Sequence, residues 1–245
     1  MSEALFDSDY SEAAAQRADQ LYQYLSRKYG LEAATVDIGG RTWRLFRVGD
    51  IDAVLDAALD GADPDGQTPY WAELWPSALA MGEWLATLDD LEGADVLELG
   101  CGLGLPGMIA RKQGARVRLT DHVPDALRFA ELHVLSNLGT DAGFALLDWT
   151  HPPFDQPPAD ILIASDLIYE ERLCEPLLAA MENLLAPGGT LFLSEPGRPV
   201  AGLFFTMLPE RGWTVETVHR RPVPSGRAMA TVYAIRRDEA ACGGV

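Results

Sequence analysis

Residues 94–121 read ADVLELGCGLGLPGMIARKQGARVRLTD, and this stretch decides the fold. Val96-Leu97-Glu98-Leu99 is a short apolar run that stops at Gly100, after which glycines alternate through Gly100, Gly102 and Gly104. From Pro106 the pattern turns helical, with Met108, Ile109 and Ala110 ahead of Gln113-Gly114. A second apolar run, Val117-Arg118-Leu119-Thr120, ends in Asp121. Strand, glycine loop, helix, strand and acid make one half of a nucleotide-binding α/β unit. A loop without Cβ atoms lets backbone approach a ligand closely and take positive φ without steric cost. An acid at the tip of the next strand can accept hydrogen bonds from ribose hydroxyls.

Two patterns compete for the loop. Gly102-Leu-Gly104-Leu-Pro-Gly107 satisfies the dinucleotide fingerprint G-x-G-x-x-G, with Asp121 at about the expected distance. Its first glycine then falls two residues past the end of the strand. The other pattern is Glu98-Leu-Gly100-Cys101-Gly102-Leu-Gly104, with the acid at the strand end. It resembles the class I, seven-β-strand methyltransferases that use S-adenosylmethionine (AdoMet). In that family the acid faces the amino-acid end of the cofactor, which carries an ammonium that a diphosphate lacks. The resemblance favours AdoMet, with a dehydrogenase as the remaining alternative.

At 245 residues the chain can bury one sizeable core, and 48% hydrophobic content is ordinary for a soluble protein. No apolar run approaches the roughly 20 residues of a membrane helix. The start, MSEALFDSDY, has no basic region followed by an apolar core, so no secretory signal is expected and the default compartment is cytoplasmic. Cys101, Cys174 and Cys242 have neither metal-ligand nor redox spacing, so no metal site is expected. A formal charge of −18 argues against nucleic acid, which is bound mainly through phosphate neutralisation, and favours a basic partner or substrate. Only residues 211–245 lean basic.

Along the chain, the spacing predicts a helix within residues 9–29, then a hairpin formed by Thr35–Ile38 and Arg41–Arg47 around Gly39-Gly40. A short helix from Asp50 to Leu59 and a loop over 60–68 follow. Residues 1–68 are expected to form an accessory α+β cap, and residues 69–245 the main domain. Pro76 suits the first turn of a helix through Trp84 and Leu85. After Asp121 come a helix opened by Pro124, a strand at Phe144–Leu147 ending in Asp148-Trp149, and a strand Asp160–Asp166. A helix from Arg172 to Leu185, a turn at Pro187-Gly188-Gly189 and a strand Thr190–Ser194 lead to a helix at 200–210. Two strands without an intervening helix, near 213–218 and 229–236, close the chain as an antiparallel hairpin. The fold class is therefore α/β, a Rossmann-like doubly wound sheet of seven strands, whose ligands lie beyond the carboxyl ends of the strands. Glu98, Asp121, Asp148, Trp149, Ser165 and Asp166 all fall there.

Three further motifs narrow the resemblance: Pro69-Tyr-Trp-Ala with Trp75-Pro76, Asp166-Leu-Ile-Tyr169, and Glu195-Pro-Gly-Arg198-Pro. Together they resemble the lysine methyltransferases called methyltransferase family 16. The branch that methylates the electron-transfer-flavoprotein β-subunit is the nearest in wording, although position 195 is Glu where that branch tends to Asp. The resemblance covers about residues 69–200. It implies that Trp75, Glu98, Gly100, Cys101, Gly102 and Gly104 contact AdoMet and that Asp121 takes the ribose. It places Trp149 near the adenine with Asp148 beside it, and has Ser165 line the site through its backbone. Asp166 and Tyr169 would then face the methyl acceptor as the catalytic pair.

The expected reaction needs little acid–base machinery: an activated methyl must meet an aligned nucleophile with water excluded. Asp166 could orient an ammonium and Tyr169 hold it near the methyl. Asp-Leu-Ile-Tyr also differs from the Asn/Asp-Pro-Pro-Tyr/Phe of enzymes that methylate planar amides or adenine amino groups. The acceptor expected is a lysine side chain of a protein substrate. The alternatives are a small-molecule amine and, in another class, a non-catalytic AdoMet-binding interaction module.

Overall fold

The computed structural model describes residues 11–59, 69–89, 91–223 and 228–238. Helix α1, Glu12–Tyr29, begins where the Ser11 hydroxyl accepts the Ala14 N–H and stops at Gly30 in the left-handed conformation. Strands β1 (Leu31–Ile38) and β2 (Arg41–Val48) form the expected antiparallel hairpin, with Ile38 opposite Arg41 across the glycine turn. Helix α2, Ile51–Leu59, follows.

The main sheet alternates strands and helices in the expected order: α3 (Pro76–Leu85), β3 (Asp95–Leu99), α4 (Leu105–Lys112), β4 (Arg116–Asp121), α5 (Pro124–Leu138), β5 (Gly143–Leu146), β6 (Ala159–Ser165), α6 (Cys174–Leu184), β7 (Leu185–Glu195), α7 (Ala201–Glu210), β8 (Trp213–Pro222) and β9 (Met229–Arg237). Its seven strands lie in the order β5-β4-β3-β6-β7-β9-β8. The first five run parallel, and β9 inserts antiparallel between β7 and β8, which is the predicted terminal hairpin. Three strand boundaries differ most from expectation: β1 starts at Leu31 rather than Thr35, β8 runs on to Pro222, and β7 starts early. β7 starts at Leu185, directly off α6, and the Pro187-Gly188-Gly189 turn is absorbed as an irregularity of pairing between Ala159 and Ile161.

The chain runs from β3 outward to β4 and β5, then returns to place β6 on the other side of β3. A crevice opens at such a reversal, beyond the carboxyl ends of the strands. Helix α1 and strand β2 share the core of this sheet. Ala18, Leu21 and Leu25 of α1 pack with Phe46 and with Phe129, Leu132 and Leu135 of α5. Trp43 and Leu45 of β2 join Met81, Leu85, Leu105 and Ile109. Full burial of each such large side chain contributes about 1.5–3 kcal/mol, which ties the hairpin firmly to the sheet. Among the described residues no helix is long and apolar enough to cross a membrane.

Candidate active site

A cavity of about 510 Å³ opens over the ends of β3, β4 and β6, within the ~300–1,000 Å³ of small-molecule sites. Trp75, Glu98, Gly100, Cys101, Gly102, Gly104, Asp121, Trp149, Ser165, Asp166 and Tyr169 all line it. One expected residue is not brought there. Asp148 lies outside the lining, where its carboxylate accepts the Thr150 N–H and hydroxyl and pairs with His151. A local turn takes this side chain instead of the cavity.

The floor is the glycine loop. Gly100, Gly102 and Gly104 all have positive φ, and at 104 the requirement is also steric. A Cβ there would stand 2.7 Å from Ala130 Cβ and 2.9 Å from Leu119 Cδ2, so α5 and β4 close directly on the loop. Two acids support it. Glu98 is 1% exposed and accepts the Gly107 N–H, in the first turn of α4, at 2.9 Å. Burial pushes its carboxyl up to about 8, against the hydrogen bond from Gly107, and the nearby Asp121 adds to the rise. Asp121, 3% exposed, accepts the Gly102 N–H at 3.0 Å and the Val123 N–H at 2.9 Å. Burial raises its pKa also. The Cys101 thiol is pushed far up by burial and then by the two acids, which removes it as a nucleophile.

The far wall is built by Asp166. Among the described residues it is the one non-glycine with positive φ, +58°, a conformation that aspartate tolerates at some cost. Its N–H is held by the Ser194 carbonyl. One carboxylate oxygen, Oδ1, accepts Arg198 Nε at 2.8 Å, while Oδ2 is buried without a partner. The Glu195-Pro-Gly-Arg198 motif explains the arrangement, because the Glu195 carboxylate accepts the N–H groups of Gly197 and Arg198 and so folds the loop that aims the guanidinium. Arg198 also sits 5.9 Å above the Trp75 ring.

Tyr70, 49% exposed, and Tyr169, 38% exposed, frame the mouth with ring centroids 5.4 Å apart. Tyr70 also meets Trp75 edge-on at 6.1 Å and accepts the Trp75 Nε1–H on its carbonyl. The motifs contained Tyr70, Trp71 and Arg198, yet sequence reasoning assigned none of them to the site. The aromatic and proline-bracketed wording of residues 69–76 was the available signal.

The donor set discriminates between the two cofactor classes. Glu73, Glu98, Asp121, Asp166 and Glu170 line the cavity against the single guanidinium of Arg198, itself paired. A diphosphate would meet buried carboxylates, two of which already resist ionisation. AdoMet brings an ammonium, a sulfonium and ribose hydroxyls, the cations and donors that those groups lack.

Comparisons with known proteins agree with this geometry. A family model described as lysine methyltransferase matches residues 63–210. Mouse (Mus musculus) EEF1A lysine methyltransferase 3 is 29% identical over 179 residues, covering 71% of this chain and 75% of the relative. The rat (Rattus norvegicus) electron transfer flavoprotein beta subunit lysine methyltransferase is 29% identical over 133 residues, 54% of this chain and 52% of that one. Among solved structures, magnesium protoporphyrin IX methyltransferase (ChlM) from Synechocystis PCC 6803 with bound SAM shares the fold at a TM-score of 0.53 and 17% identity, covering 76% of this chain and 96% of that one.

Proposed function

The chain belongs to the lysine methyltransferase family 16, and from that premise we propose that it methylates the side-chain amine of a lysine in a protein substrate. AdoMet is the methyl donor, and residues 69–245 form the transfer domain with 1–68 as an accessory segment. One observation carries the choice of acceptor: the buried, unpartnered Oδ2 of Asp166 in a cavity whose mouth is framed by Tyr70, Trp75 and Tyr169. A long aliphatic side chain can pass the aromatic rim and present an N–H donor to that oxygen.

In this reading Gly100, Cys101, Gly102 and Gly104 hold the amino-acid part of AdoMet, with Glu98 beneath them beside its ammonium. Asp121 takes the ribose, Trp149 and Ser165 border the adenine side, and Asp148 is left out. Bound AdoMet supplies a methyl group activated by its sulfonium. The acceptor would react only as the free amine, so its ammonium must first give a proton to solvent; the C–N bond would then form as the methyl–sulfur bond breaks and leaves a neutral thioether. Asp166 Oδ2 accepts one hydrogen bond from that amine and aims its lone pair. Arg198 fixes the other oxygen so that the carboxylate cannot turn, and Tyr169 and Trp75 close the reacting centre to water.

The test is transfer of tritiated methyl from AdoMet into a lysate of the source organism lacking this gene. The expected result is a discrete labelled protein band whose hydrolysate carries the label on methylated lysine. Label on arginine, or only in the small-molecule fraction, would replace the acceptor. AdoMet binding without transfer would leave a non-catalytic binding module.

A further inference from the structure

Two physical links run from the segment before residue 60 to the cofactor cavity. The first passes through His133, fully buried on α5. Its Nε2 lies 2.8 Å from the N–H of Phe46 on β2. Its Nδ1 lies 2.8 Å from the carbonyl of Leu103, the residue between Gly102 and Gly104. A backbone N–H can only donate and a carbonyl can only accept, so the ring is neutral with its proton on Nδ1. Asn137, one turn further along α5, locks the register: it accepts the Arg44 N–H and donates to the Arg44 carbonyl.

The second link passes through Tyr29, the last residue of α1. Its hydroxyl donates to Asp125 Oδ2 at 2.5 Å, an oxygen that Lys28 also reaches at 2.6 Å. The Tyr29 ring meets Trp71 edge-on at 5.6 Å. Trp71 lines the cavity, and its carbonyl oxygen lies 3.2 Å from where a Cβ at position 102 would stand.

We propose that His133 and Tyr29 are positioning residues through which the N-terminal segment fixes the AdoMet loop. His133 holds the Leu103 carbonyl from below, and Tyr29 holds Trp71 against Gly102. Pre-organisation is the physical basis. A loop of alternating glycines has few side chains to pack it in place, and any disorder left in it must be removed when ligand binds. A phenylalanine at position 133 would pack between Phe46 and Phe129 without the desolvation cost of a buried imidazole. What it could not do is connect β2 to the loop. The inference rests on the AdoMet reading of the cavity.

The experiment titrates AdoMet into the purified full-length chain by calorimetry, alongside thermal melts. The variants are His133→Phe, which removes both hydrogen bonds, and His133→Gln, whose planar amide keeps one donor and one acceptor. Tyr29→Leu probes the second link, and Leu25→Ala, in the same apolar cluster, serves as a stability control. His133→Phe and Tyr29→Leu are expected to weaken AdoMet by about tenfold, the size of one lost hydrogen bond or anchoring contact. His133→Gln should recover most of that loss, and Leu25→Ala should lose melting temperature with the dissociation constant unchanged. Should His133→Phe not fold, Tyr29→Leu and His133→Gln carry the decision. Wild-type affinity in both link variants, or equal weakening in Leu25→Ala, overturns the proposal. A wild-type chain that does not bind AdoMet overturns instead the cofactor reading on which it stands.

Discussion

Glu98→Gln should stabilise the cofactor-free protein at neutral pH while weakening its hold on AdoMet. The carboxyl is buried and its pKa is raised from 4.5 to about 8, chiefly by desolvation. Between those values the native state keeps a proton that the unfolded chain has released, so stability falls as pH rises. Each pKa unit corresponds to about 1.4 kcal/mol, which makes the loss about 3 kcal/mol at pH 7 and about 4 kcal/mol at pH 8, levelling off near about 5 kcal/mol above pH 9. Glutamine cannot ionise, and its carbonyl can still accept the Gly107 N–H that Glu98 accepts now. The assay is urea unfolding of both proteins without AdoMet at intervals from pH 5 to 9, read as the difference between them. Taking the difference removes titrating groups that do not interact with Glu98, such as the raised Glu195. The two proteins should agree near pH 4.5–5 and diverge above it, with the variant the more stable. Saturating AdoMet should narrow the gap, because a cation beside the carboxylate offsets its desolvation. Parallel pH profiles would refute the reasoning, since they would mean that Glu98 ionises in the fold as freely as in the unfolded chain.

Gly104→Ala and Gly188→Ala separate conformational strain from packing. Both glycines have φ between +70° and +80°, but a Cβ at 188 meets nothing whereas one at 104 meets Ala130 and Leu119. The second should cost ~1 kcal/mol and the first ~1–3 kcal/mol more by urea midpoint, and equal costs would refute the close approach of α5 to the loop. Asp166→Asn should lower single-turnover transfer by at least about 100-fold and leave the AdoMet dissociation constant near that of the wild type. Full activity would remove Asp166 from the acceptor site. Asp121→Ala takes the acceptor from the Gly102 and Val123 N–H groups and should weaken AdoMet by about tenfold or more in calorimetry. His133, pushed down to about 4 by burial, stays neutral in the fold while the unfolded chain protonates below 6.5. Stability carried by it is complete above pH 6.5 and lost towards pH 4, by about 3 kcal/mol. Melts of His133→Phe should be correspondingly flatter over that window.

The parts of this protein legible in its sequence are those written in local spacing. Strand, glycine loop, helix and acid over residues 94–121 occupy consecutive positions, and the fold keeps them nearly residue for residue. The hairpin around Gly39-Gly40 and the terminal antiparallel pair were read the same way. What stayed hidden are pairings between distant residues. Arg198 reaches Asp166 across 32 positions, and Phe46 reaches His133 across 87. His133 lies on a helix face of apolar neighbours, where nothing local distinguishes a bridging imidazole from a tolerated one. Asp148 stands outside the cavity lining for the opposite reason, a local bond to Thr150 holding its carboxylate.

The three acids at the ends of β3, β4 and β6 show where such reading stops. Their positions follow from the sequence, because each lies within one residue of the carboxyl end of its strand, around the crevice where the sheet order reverses. Their chemical states do not, because each meets a different partner. Glu98 has one backbone N–H and full burial, and is driven towards neutrality. Asp121 has two N–H groups, one of them from the loop it supports. Asp166 has a guanidinium on one oxygen and nothing on the other. In the proposed function these three buried carboxylates serve as a site for a cation, a site for hydroxyls and an aimed acceptor for an amine.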